Sequence, residues 1–235
     1  MYISIVIPIF NEEASLEKNL YKIYNFFKNK KNFEIIVIND GSNDKSLDIL
    51  SNLTISNLII LNNKKNIGKG ASIRKGVAKS TGELLLITDA DLSAPIEEFN
   101  KLIKYYDLGY EVIVGSRSTK DANLIIKQGI IRIMSGKIFN KLVNLILNLN
   151  YRDTQCGFKL FSNDKLKKIM KISVVDRFAI DAEILYLAQR LKLKTYEKGI
   201  VWKDNSNSSV KLISDSFNMF YDLLKIRLTN YKDNI

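Results

Sequence analysis

Asp89 and Asp91 are the residues in this chain with the clearest potential for chemistry. They stand two apart at the end of the run Leu84-Leu85-Leu86-Ile87, so a short apolar stretch leads straight into two carboxylates. Such a run, bounded by a turn signal, reads as a strand buried on both faces. In an open α/β sheet the ligand crevice lies beyond the carboxyl ends of the strands, which is where this pair belongs. Two carboxylates there suit a hard divalent cation that shares its shell with substrate phosphates. The spacing alone carries little weight, because fifteen aspartates give about one Asp-x-Asp by chance. Position is the informative part.

The 235 residues include no histidine and a single cysteine, Cys156. That removes histidine triads, histidine general bases and conventional zinc sites. Any metal is therefore expected to be oxygen-bound, Mg2+ or Mn2+ before zinc. One cysteine rules out an internal disulfide and fits a reducing compartment, so the cytoplasm is expected. Cys156 itself reads as a packed thiol. A composition of 46% hydrophobic and 26% charged residues is that of a soluble globular chain. No window approaches the roughly 18 apolar residues of a membrane span. Residues 1–8 lack a basic leader and read as a first strand, not as a signal peptide.

Strands and helices alternate through the first half of the chain. Residues 2–9, 33–38, 58–61, 84–87 and 110–115 read as strands, with helices between them. Asn11 is the expected N-cap of the first helix, with Glu12 and Glu13 in its first turn. Gly68-Lys69-Gly70 opens another helix; its spacing is not that of a P-loop. This alternation predicts a parallel, right-handed βαβ sheet, an α/β fold. Parallel strands bring the polar ends at Asn11, Asp40 and Asp89 to one edge, which points to a nucleotide-type site.

Charge divides the chain. Residues 1–118 hold 15 Lys/Arg against 14 Asp/Glu, and residues 119–235 hold 21 against 11, so the net charges are +1 and +10. A basic second half suits nucleic acid, an anionic membrane surface or a phosphorylated substrate. No nucleic-acid recognition motif is present. Residues 130–149 form an amphipathic pattern with Lys137, Asn140, Lys141, Asn144 and Asn148 on the polar face, open to core packing or to a membrane interface. Residues 212–228 form a final amphipathic helix. Asp181 and Glu183 are either partners of a helix dipole or functional, and Trp202 is either a packing residue or a sugar platform.

Taken together, Pro8-Ile9-Phe10-Asn11-Glu12, Asn39-Asp40-Gly41-Ser42, Asn66-Ile67-Gly68-Lys69-Gly70, Asp89-Ala90-Asp91-Leu92 and Gly115-Ser116-Arg117 resemble family 2 glycosyltransferases. Asp153-Thr154-Gln155-Cys156-Gly157-Phe158-Lys159, Phe178-Ala179-Ile180-Asp181-Ala182-Glu183 and Trp202 extend the resemblance to the branch of dolichyl-phosphate β-glucosyltransferases and dolichol-phosphate mannose synthases. The resemblance implies a GT-A fold over a single domain. Residues 1–118 would be the nucleotide-sugar half, and 119–235 a basic, helical half facing acceptor and membrane. It implies a donor site at Pro8, Phe10, Asn11, Glu12, Asp40, Lys69, Asp89, Ala90 and Asp91, with Asp89 and Asp91 holding Mg2+ or Mn2+. Arg117, Arg132, Lys137, Gln155 and Lys211 would meet the acceptor, and Asp91, Asp153 and Arg117 would carry the chemistry.

Two departures narrow the expectation. Mannose synthases have Gln-His after Asp-x-Asp-Leu where this chain has Ser93-Ala94, which favours glucose over mannose. Relatives carry Ser-Lys or Ser-Arg before the last helix where this chain has Ser208-Ser209, with Lys211 two residues on. The implied partners are a UDP- or GDP-hexose, a polyprenyl (dolichyl or undecaprenyl) phosphate and the cytoplasmic face of a membrane, met peripherally. A lipid phosphate is ionised near neutral pH and attacks without a strong base, so direct displacement with inversion is expected. A saccharide hydroxyl acceptor would instead need a carboxylate base, for which Asp153 is the candidate. A non-catalytic nucleotide-binding module is the remaining alternative.

Overall fold

A computed structural model describes residues 1–30, 32–126, 130–203 and 212–231, without the side chains of 126, 130–132 and 212–216. Four strands build its first half: β1 (Tyr2–Ile9), β2 (Asn32–Asn39), β3 (Leu58–Asn62) and β4 (Leu84–Ile87). All pair in parallel, in the order β3-β2-β1-β4. The helices α1 (Leu16–Phe27), α2 (Ser46–Asn52) and α3 (Lys69–Lys79) make the connections. Registers are flush where they matter: Ile9 pairs with Asn39, Asn39 with Asn62, and Val6 with Ile87. Phe10, Asp40, Asn63 and Thr88 therefore leave the sheet along one edge.

The remaining elements extend the sheet and cover it. They are α4 (Phe99–Asp107), β5 (Val112–Ser116), β6 (Asn123–Ile126), α5 (Ile130–Leu147), β7 (Lys159–Ser162), α6 (Asn163–Ile172), α7 (Ile180–Arg190), β8 (Thr195–Gly199), β9 (Val201–Lys203) and α8 (Leu212–Leu228). The seven-stranded order is β3-β2-β1-β4-β7-β5-β8. Six strands run parallel, and β7 lies antiparallel between β4 and β5. Strands β6 and β9 form a separate parallel pair.

Strand alternation divides the core between the two faces of the sheet. Ile3, Ile5 and Ile7 pack with Leu20, Ile23 and Phe27 of α1 and with Phe99 and Leu102 of α4. Val6, Ile36 and Ile38 face Ile73 and Val77 of α3, within a cluster that runs on to Leu166 of α6 and Ile184 of α7. With helices on both faces, the strands are continuously apolar, which is why they were so readable in sequence.

Three details depart from expectation. Asn11 does not cap α1, which begins five residues later at Leu16. It adopts a left-handed φ of 56°, and its side-chain oxygen accepts the amide N–H of Asn43, joining the loops after β1 and β2. On α5 the asparagines face inward: Asn140 and Asn144 bond the carbonyls and amides of the 151–154 turn, while Met134, Ile138 and Leu145 stand exposed. The short pair β6–β9 has no counterpart in the sequence reading.

Candidate active site

Three loops leave the shared edge of β1, β2 and β4 and are tied to one another. After β2, the buried Asp40 turns its carboxylate into the 63–68 loop. It accepts the Ile67 amide at 2.9 Å, the Gly68 amide at 2.8 Å and Asn63 Nδ2 at 2.9 Å. Gly68 has a φ of 102°, and a Cβ there would lie 2.3 Å from the Asp176 carbonyl oxygen, so only glycine fits. This packing delivers Lys69 to the head of α3, pointing into the site.

After β4, the chain turns through Asp89, Ala90 and Asp91. Asn19 Nδ2 holds the Ala90 carbonyl at 2.9 Å, and Leu92 takes a φ of 49°, a conformation that non-glycine residues rarely adopt. Ser93 clasps Asp91: its amide donates at 2.9 Å and its hydroxyl at 2.8 Å. Lys69 Nζ lies 2.9 Å from Asp89 Oδ1 and 3.2 Å from Asp181 Oδ2. On the other side, a Cβ on Gly157 would come within 2.1 Å of Asp89 Oδ2. Glycine there lets the second half of the chain press its backbone onto the carboxylate.

These carboxylates are not fully compensated. Burial, followed by the charges of Asp91 and Asp89, pushes the Glu12 carboxyl from 4.5 up to about 7. Burial also raises Asp91, with the Asp89 charge adding to it, and the Ser93 amide offsets only part. A cluster that resists its own ionisation is one that welcomes a cation. Among the described residues no three metal-ligating side chains converge to enclose one. Asp89 and Asp91 thus fit a magnesium or manganese ion whose shell is completed by ligand oxygens.

Arg117, after β5, and Asp153, from the second half, face this cluster together. Arg117 closes β5 and grips Asp153 bidentately, Nε to Oδ2 at 2.7 Å and Nη2 to Oδ1 at 2.8 Å, while its amide donates to Oδ2 at 3.0 Å. Burial would raise the Asp153 carboxyl, but the guanidinium outweighs it and holds it below the usual carboxylate range. The guanidinium also lies 4.9 Å above the Trp202 ring, a cation–π contact that makes Trp202 a support of Arg117. Gln155 follows in the same turn, its amide on Asp153 Oδ1 at 3.1 Å. Cys156 is wholly buried, and that burial pushes its thiol up to about 12, which suits a packed side chain and not a nucleophile.

Pro8 and Phe10 are half-buried at the end of β1, and Ala90 is buried in the Asp89–Asp91 turn. Lys137 stands exposed on α5. The side chain of Arg132, and Lys211 altogether, lie outside the described residues. Sequence reasoning left out Lys159 and gave Asp181 no settled role. Both are buried, and they bond each other directly behind Lys69. A lysine inside the apolar run Phe158-Lys159-Leu160-Phe161 was the available signal. Glu183 serves the fold, accepting the amides of Val174 and Val175 and the Tyr231 hydroxyl.

A mostly parallel sheet whose strand ends converge on an Asp-x-Asp turn is the architecture of GT-A glycosyltransferases. The family model described as glycosyl transferase family 2 matches residues 4–170, and the chain belongs to that family. It is 33% identical over 244 residues to the dolichyl-phosphate beta-glucosyltransferase of Dictyostelium discoideum, covering 97% of this chain and 74% of that one. To the human protein of the same name it is 30% identical over 242 residues, covering 96% and 75%. Among solved structures, glucosyl-3-phosphoglycerate synthase from Mycobacterium tuberculosis, in complex with Mn2+ and uridine-diphosphate-glucose, superposes with a TM-score of 0.72. That match has 18% identity and covers 96% of this chain and 78% of that one; at this identity it speaks for the fold.

Proposed function

We propose that this glycosyltransferase moves glucose from UDP-glucose to a dolichyl-type polyprenyl phosphate. Relatives of which this chain covers about three quarters are named dolichyl-phosphate beta-glucosyltransferases. The observation that carries the acceptor assignment is the state of Asp153. The carboxylate that would serve as base towards a sugar hydroxyl is locked by Arg117 and held below the usual carboxylate range. A phosphate monoester needs no base, since its oxygen is already ionised.

In this reading Asp89 and Asp91 hold Mg2+ or Mn2+, which would neutralise the departing nucleoside diphosphate. Lys69 adds a fixed positive charge beside the diphosphate, and Pro8, Phe10, Asn11, Glu12 and Ala90 line the donor. Asp40 shapes the donor pocket by ordering the 63–68 loop. Arg117 sits between the two substrates, its fork oriented by Asp153 and its plane supported by Trp202. The lipid phosphate oxygen attacks the anomeric carbon as the bond to the diphosphate breaks, inverting α to β. Gln155, Arg132, Lys137 and Lys211 belong to the acceptor side.

The acceptor resides in a bilayer, yet no helix among the described residues is long and apolar enough to cross one. Helices α5 and α8 pack together and expose Met134, Ile138, Leu145, Phe217, Tyr221 and Leu228, with Lys137 and Lys141 exposed on α5. Apolar side chains interspersed with lysines fit the interface of an anionic, cytoplasmic-facing leaflet. The test is co-sedimentation with vesicles containing phosphatidylserine, together with UDP release from UDP-glucose with and without dolichyl phosphate. Vesicle binding that L145E abolishes, and UDP release that requires the lipid phosphate, are expected. Turnover only with a saccharide acceptor would overturn the assignment.

A further inference from the structure

Lys159, Asp181, Lys69 and Asp89 form an unbroken series of alternating charges. Lys159 is wholly buried in β7, opposite Ile87 of β4 and Val114 of β5. Its ammonium donates to the Cys156 carbonyl and to Asp181 Oδ1. Asp181 Oδ2 accepts from Lys69 at 3.2 Å, and Lys69 meets Asp89 Oδ1 at 2.9 Å. Asp89 in turn abuts Gly157, the residue after Cys156, so the series closes into a ring. Two ammonium groups balance two carboxylates. Burial pushes Asp181 up, and the two lysines outweigh it and hold it ionised.

Packing alone does not explain the buried pair. Replacing such a pair by apolar side chains of similar volume is often neutral or stabilising, and the two residues that follow Lys159 in β7, Leu160 and Phe161, are apolar and wholly buried. What the pair does accomplish is geometric. Lysine has a flexible four-carbon stem, and Lys69 is held at both of its contacts: Asp89 on the ligand side and Asp181 on the protein side. Lys159 leaves Asp181 a single orientation, and its second bond ties that orientation to the 153–157 turn.

We infer that Asp181, oriented by Lys159, is a positioning residue that fixes the ammonium of Lys69 beside Asp89, so that a diphosphate arriving at this edge meets a cation already in place. The inference rests on the donor-site reading above. It also links the two halves of the site, because the ring runs from Asp89 and Lys69 on the donor side to the acceptor-side turn through Asp181 and Lys159, which touch neither substrate.

The test is UDP binding in the presence of Mg2+, measured by titration calorimetry on wild type, D181N, K69M and the double variant, with circular dichroism to confirm folding. D181N is expected to weaken UDP binding at least tenfold and to raise the KM for UDP-glucose while leaving that for dolichyl phosphate within twofold. D181N added to K69M is expected to cost nothing further, because Asp181 acts through Lys69. If D181N does not fold, K159M/D181N removes both buried charges together and carries the same expectation. Wild type that binds UDP while these variants bind it equally well, or a full additional loss from D181N on top of K69M, overturns the inference alone. Wild type that binds no UDP overturns the donor-site reading and the inference with it.

Discussion

Replacing Glu12 by glutamine isolates the electrostatics of the carboxylate cluster. The backbone at this position is held independently of the side chain, since the Glu12 amide donates to Ser46 Oγ at 2.9 Å, so E12Q leaves the loop in place. Burial first, then Asp91 and Asp89, raise the Glu12 carboxyl from 4.5 to about 7. The folded protein therefore holds a proton between those values that the unfolded chain has lost, and stability falls as pH rises through this window. A full shift corresponds to about 3 kcal/mol at 1.36 kcal/mol per tenfold. Because the side chain is only half-buried, solvent screening leaves about 1–2 kcal/mol. Urea denaturation in EDTA at pH 5 and pH 8 reads this directly. E12Q is expected to match wild type at pH 5 within a few tenths of a kcal/mol and to exceed it by about 1–2 kcal/mol at pH 8. Adding Mg2+ and UDP is expected to reverse the order, because the wild-type carboxylate then contributes to cation binding. Equal stability of the two proteins at pH 8, or a less stable E12Q, would refute the claim that the cluster is uncompensated.

Further expectations follow from single contacts. G157A places a methyl where Asp89 Oδ2 lies, 2.1 Å from the new Cβ, so the carboxylate must move; a fall in kcat of at least tenfold is expected, with a stability loss of about 1–3 kcal/mol by thermal denaturation. D153A strips the bidentate partner from Arg117 and is expected to cost about 3 kcal/mol or more in urea titration, together with nearly all activity. Cys156, its thiol pushed up to about 12 by burial, is expected to resist alkylation at pH 8 in the native protein and to react fully in denaturant.

The first half of the fold was legible because its strands are buried on both faces, so each appears as an uninterrupted apolar run ending in a polar turn. Parallel pairing then forces Asn11, Asp40 and Asp89 to a common edge without any knowledge of distance. The ring behind Asp89 was not legible in the same way. Lys69 and Asp181 meet across 112 residues, and a lysine within an apolar strand can be resolved only by the partner that folding brings to it. Helix α5 illustrates a different limit: periodicity separates two faces but does not say which one is buried. The buried side draws on both: Val143 and Leu147 are wholly buried, and Asn140 and Asn144 turn inward beside them to satisfy the backbone of the 151–154 turn, while Lys137, Lys141 and Leu145 stay exposed. Asn11 failed as a cap for a long-range reason, since its side-chain oxygen is engaged by the amide of Asn43, 32 residues on. Trp202 found its place through Arg117, a contact between β9 and the end of β5 that no sequence spacing encodes.

The measurement closest to the central claim is glucose transfer from UDP-glucose to dolichyl phosphate in vesicles, with Mg2+ or Mn2+ supplied, comparing wild type with D91N. The account predicts a β-linked glucosyl phosphate lipid from wild type, formed only when both the lipid phosphate and the divalent cation are present, and no product from D91N. Product that forms equally well with EDTA, or that D91N makes at the wild-type rate, would contradict it.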